Sequence, residues 1–242
     1  MKSINSLIAF LVFFLSFSVE ALGQKATIDS LENELLYHIK SDTVKVDLLN
    51  SASYYYKSFD IIEAEKKALE ANRLAKKLNY KRGEAKSLSR LGRIYLKKTE
   101  LGKAENSIVE ALNLFVEIND QDGINSSKLD LAEINYRNND LEKASEITKK
   151  ILKSAVENGD LSMKARALNN LGVYKYSNGK HDEAITIFKE AYAINEKLGE
   201  KDLGSLNNIG AICLNQGRYK EALAYFNKCL SLHREDYNKH GI

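Results

Sequence analysis

The sequence predicts an all-α fold, a right-handed superhelical solenoid of antiparallel helix pairs. Three observations predict it. A small residue recurs at Ala52, Gly92, Ala132, Gly172 and Gly210, in steps of 40, 40, 40 and 38 residues. An alanine follows each of them by twelve residues, at Ala64, Ala104, Ala144, Ala184 and Ala222. Proline is absent, apolar residues make up 44% and charged residues 29%, the balance of amphipathic helices without a Pro-rich linker. A fixed period of this size marks a stacked array whose units bury their apolar faces against their neighbours.

The elements follow in order. Residues 1–23 hold one lysine, an apolar run from Leu7 to Val19, and the small-residue stretch Ala21-Leu22-Gly23 ahead of Gln24. A membrane-spanning helix needs about 20 apolar residues, and this run is shorter. The layout is that of a secretory signal peptide, cleaved after Gly23 or Ala21. The alternative reading is an uncleaved N-terminal anchor. No cysteine lies near the cleavage site, so no lipid attachment is expected there. The mature chain is thus expected to be secreted or periplasmic, with no membrane segment after signal removal. Residues 24–40 read as one amphipathic helix, with Leu31, Leu35 and His38 on one face, that caps the first repeat.

Five helix pairs are expected at 41–79, 80–119, 120–159, 160–199 and 200–235. Asn139-Asp140, Asn178-Gly179 and Gln216-Gly217 mark turns within them. Glycine inside a helix costs about 1 kcal/mol relative to alanine, so Gly92, Gly172 and Gly210 need a reason. Close approach of two helices supplies one: Gly172 is expected to face Ala184, and the equivalent pairs to pack alike. Residues 236–242 continue a stretch, HREDYNKHGI, that repeats the junctions KLNYKRGEA and EINDQDGIN, each of which leads into a new first helix. They read as the start of an incomplete further repeat. On that reading the chain is the N-terminal part of a longer protein or a truncated reading frame, and its uncapped last repeat could self-associate.

The pattern resembles tetratricopeptide repeats. With Gly172 as position 8, the fourth copy offers Leu168, Leu171, Gly172, Ala184, Phe188 and Ala191 at the family's apolar, small and aromatic positions. The fifth offers Leu206, Ile209, Gly210, Ala222, Phe226 and Cys229, and the second Leu88, Leu91, Gly92, Tyr95, Ala104, Ile108 and Ala111. The third is the weakest match, with Thr148 and Ile151 at its last two positions. The family's proline after the second helix is missing, and the period is near 40 rather than 34, which is similar to the longer repeats of kinesin light chains. An exported array of this kind resembles the sensory region of Bacteroidetes-type regulators, which continue into a transmembrane helix and a kinase or DNA-binding domain. No such segment follows in this sequence.

Few residues invite catalysis. The histidines His38, His181, His233 and His240 have no metal-binding spacing, and no serine or cysteine sits in a nucleophile motif. Cys213 and Cys229 fall on opposite helices of the last pair, about 13 Å apart along the axis at 1.5 Å of rise per residue. That is too far for a disulfide. Neither enzyme activity, a cofactor nor a bound metal is expected. A net charge of +3 does not argue for nucleic acid.

The resemblance implies that the first helix of each pair lines a concave face. Its inward stripes would be Val46, Asn50, Ser53 and Lys57; Lys86, Arg90, Arg93 and Lys97; Ser126, Asp130, Glu133 and Arg137; Arg166, Asn170, Val173 and Ser177; and Gly204, Asn208, Ala211 and Asn215. The second stripe is wholly basic, which suits a partner with an acidic segment; a solvated lysine-rich face is the other reading. Asn50, Asn170 and Asn208 share one position, where related arrays hold an extended peptide backbone, since a carboxamide both donates and accepts. Bonding between neighbouring helices is the alternative for them. Tyr56, Tyr136 and Tyr176 lie beside the stripes. The expected function is a protein- or peptide-binding scaffold working through this groove, its rival a structural spacer with no specific ligand.

Overall fold

The computed structural model describes residues 25–240, with side chains from 25 to 232. The expected signal peptide, residues 1–23, lies outside the described residues, as does the end of the expected incomplete repeat at 241–242. Eleven helices and no strand occur among the described residues: α1 (25–37), α2 (Thr43–Tyr56), α3 (Ile61–Lys77), α4 (Lys81–Lys97), α5 (Leu101–Glu117), α6 (Gln121–Arg137), α7 (Leu141–Glu157), α8 (Leu161–Ser177), α9 (His181–Lys197), α10 (Leu203–Asn215) and α11 (Tyr219–His240).

The chain turns back on itself at regular intervals. Each helix from α3 to α9 is 17 residues long. From α3 to α10 each helix ends on a residue in the left-handed region: Asn79, Thr99, Asn119, Asn139, Gly159, Gly179, Gly199 and Gly217, with φ between 53° and 74°. Two backbone bonds close each end. After α3, the Asn79 N–H donates to the Lys76 carbonyl and the Tyr80 N–H to the Ala75 carbonyl, at 3.1 and 2.9 Å. This Schellman arrangement satisfies the orphan carbonyls of the last turn, and glycine or asparagine adopts its left-handed residue at least cost. Thr99 is the one β-branched residue in the series. Aspartates then restart the helices: the side chains of Asp60, Asp120, Asp160 and Asp202 accept backbone N–H bonds in the first turn that follows.

The described residues form two compact units, 25–144 and 145–240, with the boundary inside α7. In the first, consecutive helices from α2 to α6 pack in order, and α4 also touches α2 and α6. The first helices of successive pairs therefore lie side by side. In the second, α8 to α11 pack in order, and Leu152 of α7 packs against Ala165, Leu168, Ala191 and Ile194.

The recurring small residues are buried in both units. Their partners differ from the expected ones. A Cβ added at Gly172 would meet the Phe188 ring, at 2.6 Å from Cε1, ahead of any atom of Ala184. At Gly210 it would meet Phe226 at 2.5 Å, and at Gly92 Ile108 at 2.4 Å, with the Ala104 carbonyl next at 3.3 Å. The glycine thus makes room for a large side chain four residues past the recurring alanine. Across the copies the two positions change together: Gly92, Gly172 and Gly210 go with Ile108, Phe188 and Phe226, while Ala52 and Ala132 go with Ala68 and Thr148. The third copy's weak match at Thr148 fits this trade of volume.

Cys213 and Cys229 are buried free thiols. Helix α11 runs unbroken from Tyr219 to His240, through the residues expected to turn into a further repeat.

Candidate functional site: a basic face on α2, α4 and α6

The first unit gathers cations where three first helices lie side by side. Arg93 of α4 donates from Nε to Asp130 Oδ2 of α6 at 2.8 Å, with 22% and 15% of the two side chains exposed. Arg137 donates from Nε to Glu133 Oε1 at 2.7 Å and from Nη1 to the Leu96 carbonyl at 2.9 Å, tying α6 to the end of α4. Lys97 Nζ donates to the Lys57 carbonyl at 2.6 Å, tying α4 to α2. Arg90 lies over the Tyr54 ring, 4.6 Å from its centroid. Five cations, Lys57, Arg90, Arg93, Lys97 and Arg137, thus share this face with two carboxylates, Asp130 and Glu133.

Crowding shows in the proton affinities. Burial, then Arg93 and Arg90, hold the Lys57 amine below the usual lysine range, against a smaller opposing effect of Asp130. Arg90 is pushed down to about 10, mostly by burial and then by Arg93, with Tyr54 and Asp130 opposing. At about 10 the Arg90 guanidinium is still cationic at neutral pH, and the face holds more basic than acidic side chains.

Beside Arg90 a recess of about 360 Å³ opens between α4 and α6. Arg82, Lys86, Ser89, Arg90 and Arg93 line it from α4, Phe115 from α5, and Asp122, Gly123 and Ser126 from α6, with Asp120 just ahead. Gly123 has a packing reason the repeat pattern did not expose: a Cβ there would sit 2.2 Å from Cδ1 of Phe115. Arg82 is loosely paired with Asp120 at 3.4 Å.

Lys86, Arg90, Arg93, Lys97, Asp130, Glu133 and Arg137 all stand on α4 and α6 of this unit. Asn50 departs from expectation. It is 3% exposed, and its Nδ2 donates to the Gly83 carbonyl at 3.1 Å, so it joins α2 to α4 and is closed to a ligand. Val46 and Ser53 of the same stripe are also buried, Ser53 donating to the Ala64 carbonyl. The first pair turns this side of α2 toward its neighbours, leaving Lys57 as its contribution to the face. In the second unit Arg166 and Asn170 are half-buried on α8, and Asn208 is half-buried on α10. Asn215 Nδ2 donates to the Tyr176 hydroxyl at 2.8 Å.

The tyrosine that bears on the face is none of the three beside the stripes. Tyr56 packs toward Ala64, Ala68, Leu91 and Ile94, its hydroxyl pushed up to about 12 by burial and then by Glu32. Tyr54 is the shelf under Arg90. The available signal was the run Tyr54-Tyr55-Tyr56-Lys57, three aromatic rings ahead of a cation at the end of a first helix.

Among the described residues no group of three or more His, Cys, Asp or Glu side chains is placed to hold a metal. No helix among them is long and apolar enough to cross a membrane.

Comparison with known proteins places these helices in a class. Two tetratricopeptide-repeat models match the chain, one over residues 124–197 and one over 205–236. Over those two stretches the sequence matches tetratricopeptide repeats. Among solved structures it is similar to NprR in complex with its cognate peptide NprX, at 17% identity and a TM-score of 0.70, covering 99% of this chain and 70% of that one. A Rap protein complexed with competence and sporulation factor matches at 17% identity and a TM-score of 0.65, over 98% and 78% of the two chains. BtubC (BKLC) from P. vanneervenii matches at 22% identity and a TM-score of 0.56, over 93% and 94%. At these identities the likeness is one of fold. No curated protein matches.

Proposed function

We propose that the chain is a binding scaffold that holds a protein or peptide segment against the face of α2, α4 and α6, and that the segment is acidic. The observation that carries this reading is the imbalance of Lys57, Arg90, Arg93, Lys97 and Arg137 over Asp130 and Glu133, set on three adjoining helices tied by hydrogen bonds. Like charges held together raise the local potential and favour an anionic partner. The structures of NprR and of the Rap protein, each in complex with a peptide or factor, lend support by analogy. A pure spacer would gain nothing from the imbalance.

Fluorescence anisotropy tests the reading with three labelled peptides of equal length, one rich in Asp and Glu, one neutral and one rich in Lys. The acidic peptide should bind best. Its affinity should fall as salt rises from about 0.05 to about 0.3 M, because exposed charges are screened over roughly 10 Å at 0.1 M. The double variant Lys97→Glu/Arg137→Glu should lose that preference while keeping its helicity. Equal binding of all three peptides, or none, would leave the spacer as the better account.

The chain is also proposed to be exported, on the layout of Lys2, the apolar run from Leu7 to Val19 and Ala21-Leu22-Gly23. Mass spectrometry of the protein from its own cells should then find a chain beginning at Gln24 or Leu22. An intact Met1 would overturn this.

A further inference from the structure

Where α1 ends and α2 begins, the chain leaves large apolar side chains uncovered. Leu36, Tyr37, Ile39 and Val44 are 72%, 79%, 90% and 51% exposed, and Ile39 is the most exposed large apolar side chain among the described residues. Single exposed apolar residues are ordinary, but these gather within nine positions.

The corner that carries them is fixed. His38 Nε2 donates to Asp42 Oδ1 at 2.8 Å across it, and the same oxygen accepts the Lys45 N–H at 3.1 Å, capping α2. Behind the corner α1 is firmly seated. Ile28 is buried, Leu35 packs with Val46, Leu49, Ala71 and Ala75, and Glu32 pairs with Lys67 of α3 at 2.8 Å. Ile39 therefore stands out from a braced loop, and offering it to a partner costs little ordering entropy.

Beside this corner a cleft of about 470 Å³ opens between α1 and α2. Val44, Leu48 and Tyr37 give it apolar walls, while Ser30, Asn33, Glu34 and His38 give it a polar side. One face thus holds an apolar knob and an apolar socket. The charges repeat the arrangement: Lys40 follows the knob and Glu34 lines the socket. Both are exposed, and neither is in an ion pair among the described residues. A face with a knob and its socket, a cation and its anion, is complementary to itself under a two-fold rotation. A partner of one charge would meet at most half of it, since an acidic one would face Glu34 and a basic one Lys40.

We propose that this face joins two copies of the chain, the Ile39 of each seated in the α1–α2 cleft of the other, with the Lys40 of each beside the Glu34 of the other. Each copy buries its knob and fills its socket at once, so the contact closes as a dimer and does not extend. A contact this small makes a weak, concentration-dependent dimer.

Sedimentation equilibrium of the chain purified from its own cells should show monomer and dimer exchanging with concentration. Ile39→Asp should weaken the dimer about tenfold or more with helicity kept, the side chain being exposed in one copy alone. Glu34→Lys and Lys40→Glu should each weaken it, because like charges then face each other. The two single variants mixed, or the double variant alone, should dimerise as the wild type does, since each again sets a cation against a carboxylate. A chain that stays monomeric, a dimer indifferent to Ile39→Asp, or a double swap no better than its singles would each overturn the proposal. A photo-crosslinker on Ile39→Cys reads the occupant of the cleft, Cys213 and Cys229 being buried from the label. A product of twice the chain's mass supports a second copy; linkage only to another protein or to lipid overturns it.

Discussion

Consider Gly172→Ala. The added Cβ would lie 2.6, 2.8 and 2.9 Å from three carbons of the Phe188 ring, about 1 Å inside the 3.5–4.0 Å of ordinary carbon contact. Phe188 is 1% exposed and packed in one cluster with Ala184, Ile185, Ile209 and Phe226, so the ring has no free direction to move. Overpacking of this kind costs about 1–3 kcal/mol. Replacing glycine within a helix returns about 1 kcal/mol of helix propensity. The two effects oppose, and the net should be a loss of up to about 2 kcal/mol. Gly102 is the control: nothing lies within 4 Å of a Cβ there, so Gly102→Ala should be neutral or stabilising by up to about 1 kcal/mol. A double-mutant cycle isolates the clash. In a Phe188→Leu background the ring carbons are gone, so Gly172→Ala should turn neutral or favourable, a coupling of about 1 kcal/mol or more. Urea unfolding followed by circular dichroism reads all four variants. If Gly172→Ala stabilised the chain as much as Gly102→Ala, the argument that glycine is kept there for the ring would be refuted.

Other outcomes follow from single positions. Thr99 holds φ 60° at an exposed helix end where its counterparts are Asn or Gly, so Thr99→Asn should raise stability by about 1 kcal/mol, read as an increased urea midpoint. Asn50→Ala should remove the bond that joins α2 to α4 and cost about 1 kcal/mol, with peptide affinity unchanged; lost affinity in a stably folded variant would restore Asn50 to the ligand face. Lys57 gives a pH signature. Its folded pKa lies below the ordinary 10.5, so between the two values the unfolded chain binds more protons and stability rises with pH. Its cost is borne in full below the folded value. Lys57→Met should flatten that rise, and in the wild type the affinity for an acidic peptide should fall across the same window as one cation discharges.

The repeat was legible because backbone packing punishes a wrong residue at the same place in every copy. Gly92, Gly172 and Gly210 announce themselves against the helix propensity they give up, and the buried alanines twelve residues on confirm the register. The partner of the glycine was not legible from one copy, since position and volume are separate facts. Only the joint change of Gly with Ile108, Phe188 or Phe226, and of Ala with Ala68 or Thr148, points to the residue that fills the space.

The face is harder to read for a physical reason. A charge announces neither its neighbour nor its burial, and the first and second pairs share a stripe in sequence without sharing an environment. On α4 the stripe is Lys86, Arg90, Arg93 and Lys97, half-buried or exposed; on α2 the same positions give Val46, Asn50 and Ser53, sealed against adjoining helices, and then Lys57. Helical spacing put all eight on one side. What separates them is the packing above that side. A carboxamide that could hold a peptide instead holds the Gly83 carbonyl, and the pairings of Arg93 with Asp130 and Arg90 with Tyr54 join residues more than 35 positions apart, which no local motif encodes. The tyrosine mattered through that long contact. Tyr54 and Tyr56 are alike on paper, yet one turns to the core beside Ala64 and the other carries the cation that faces the recess. Sequence periodicity therefore marks which helix faces can bind, and the tertiary neighbours of each charge decide which of them is free to do so.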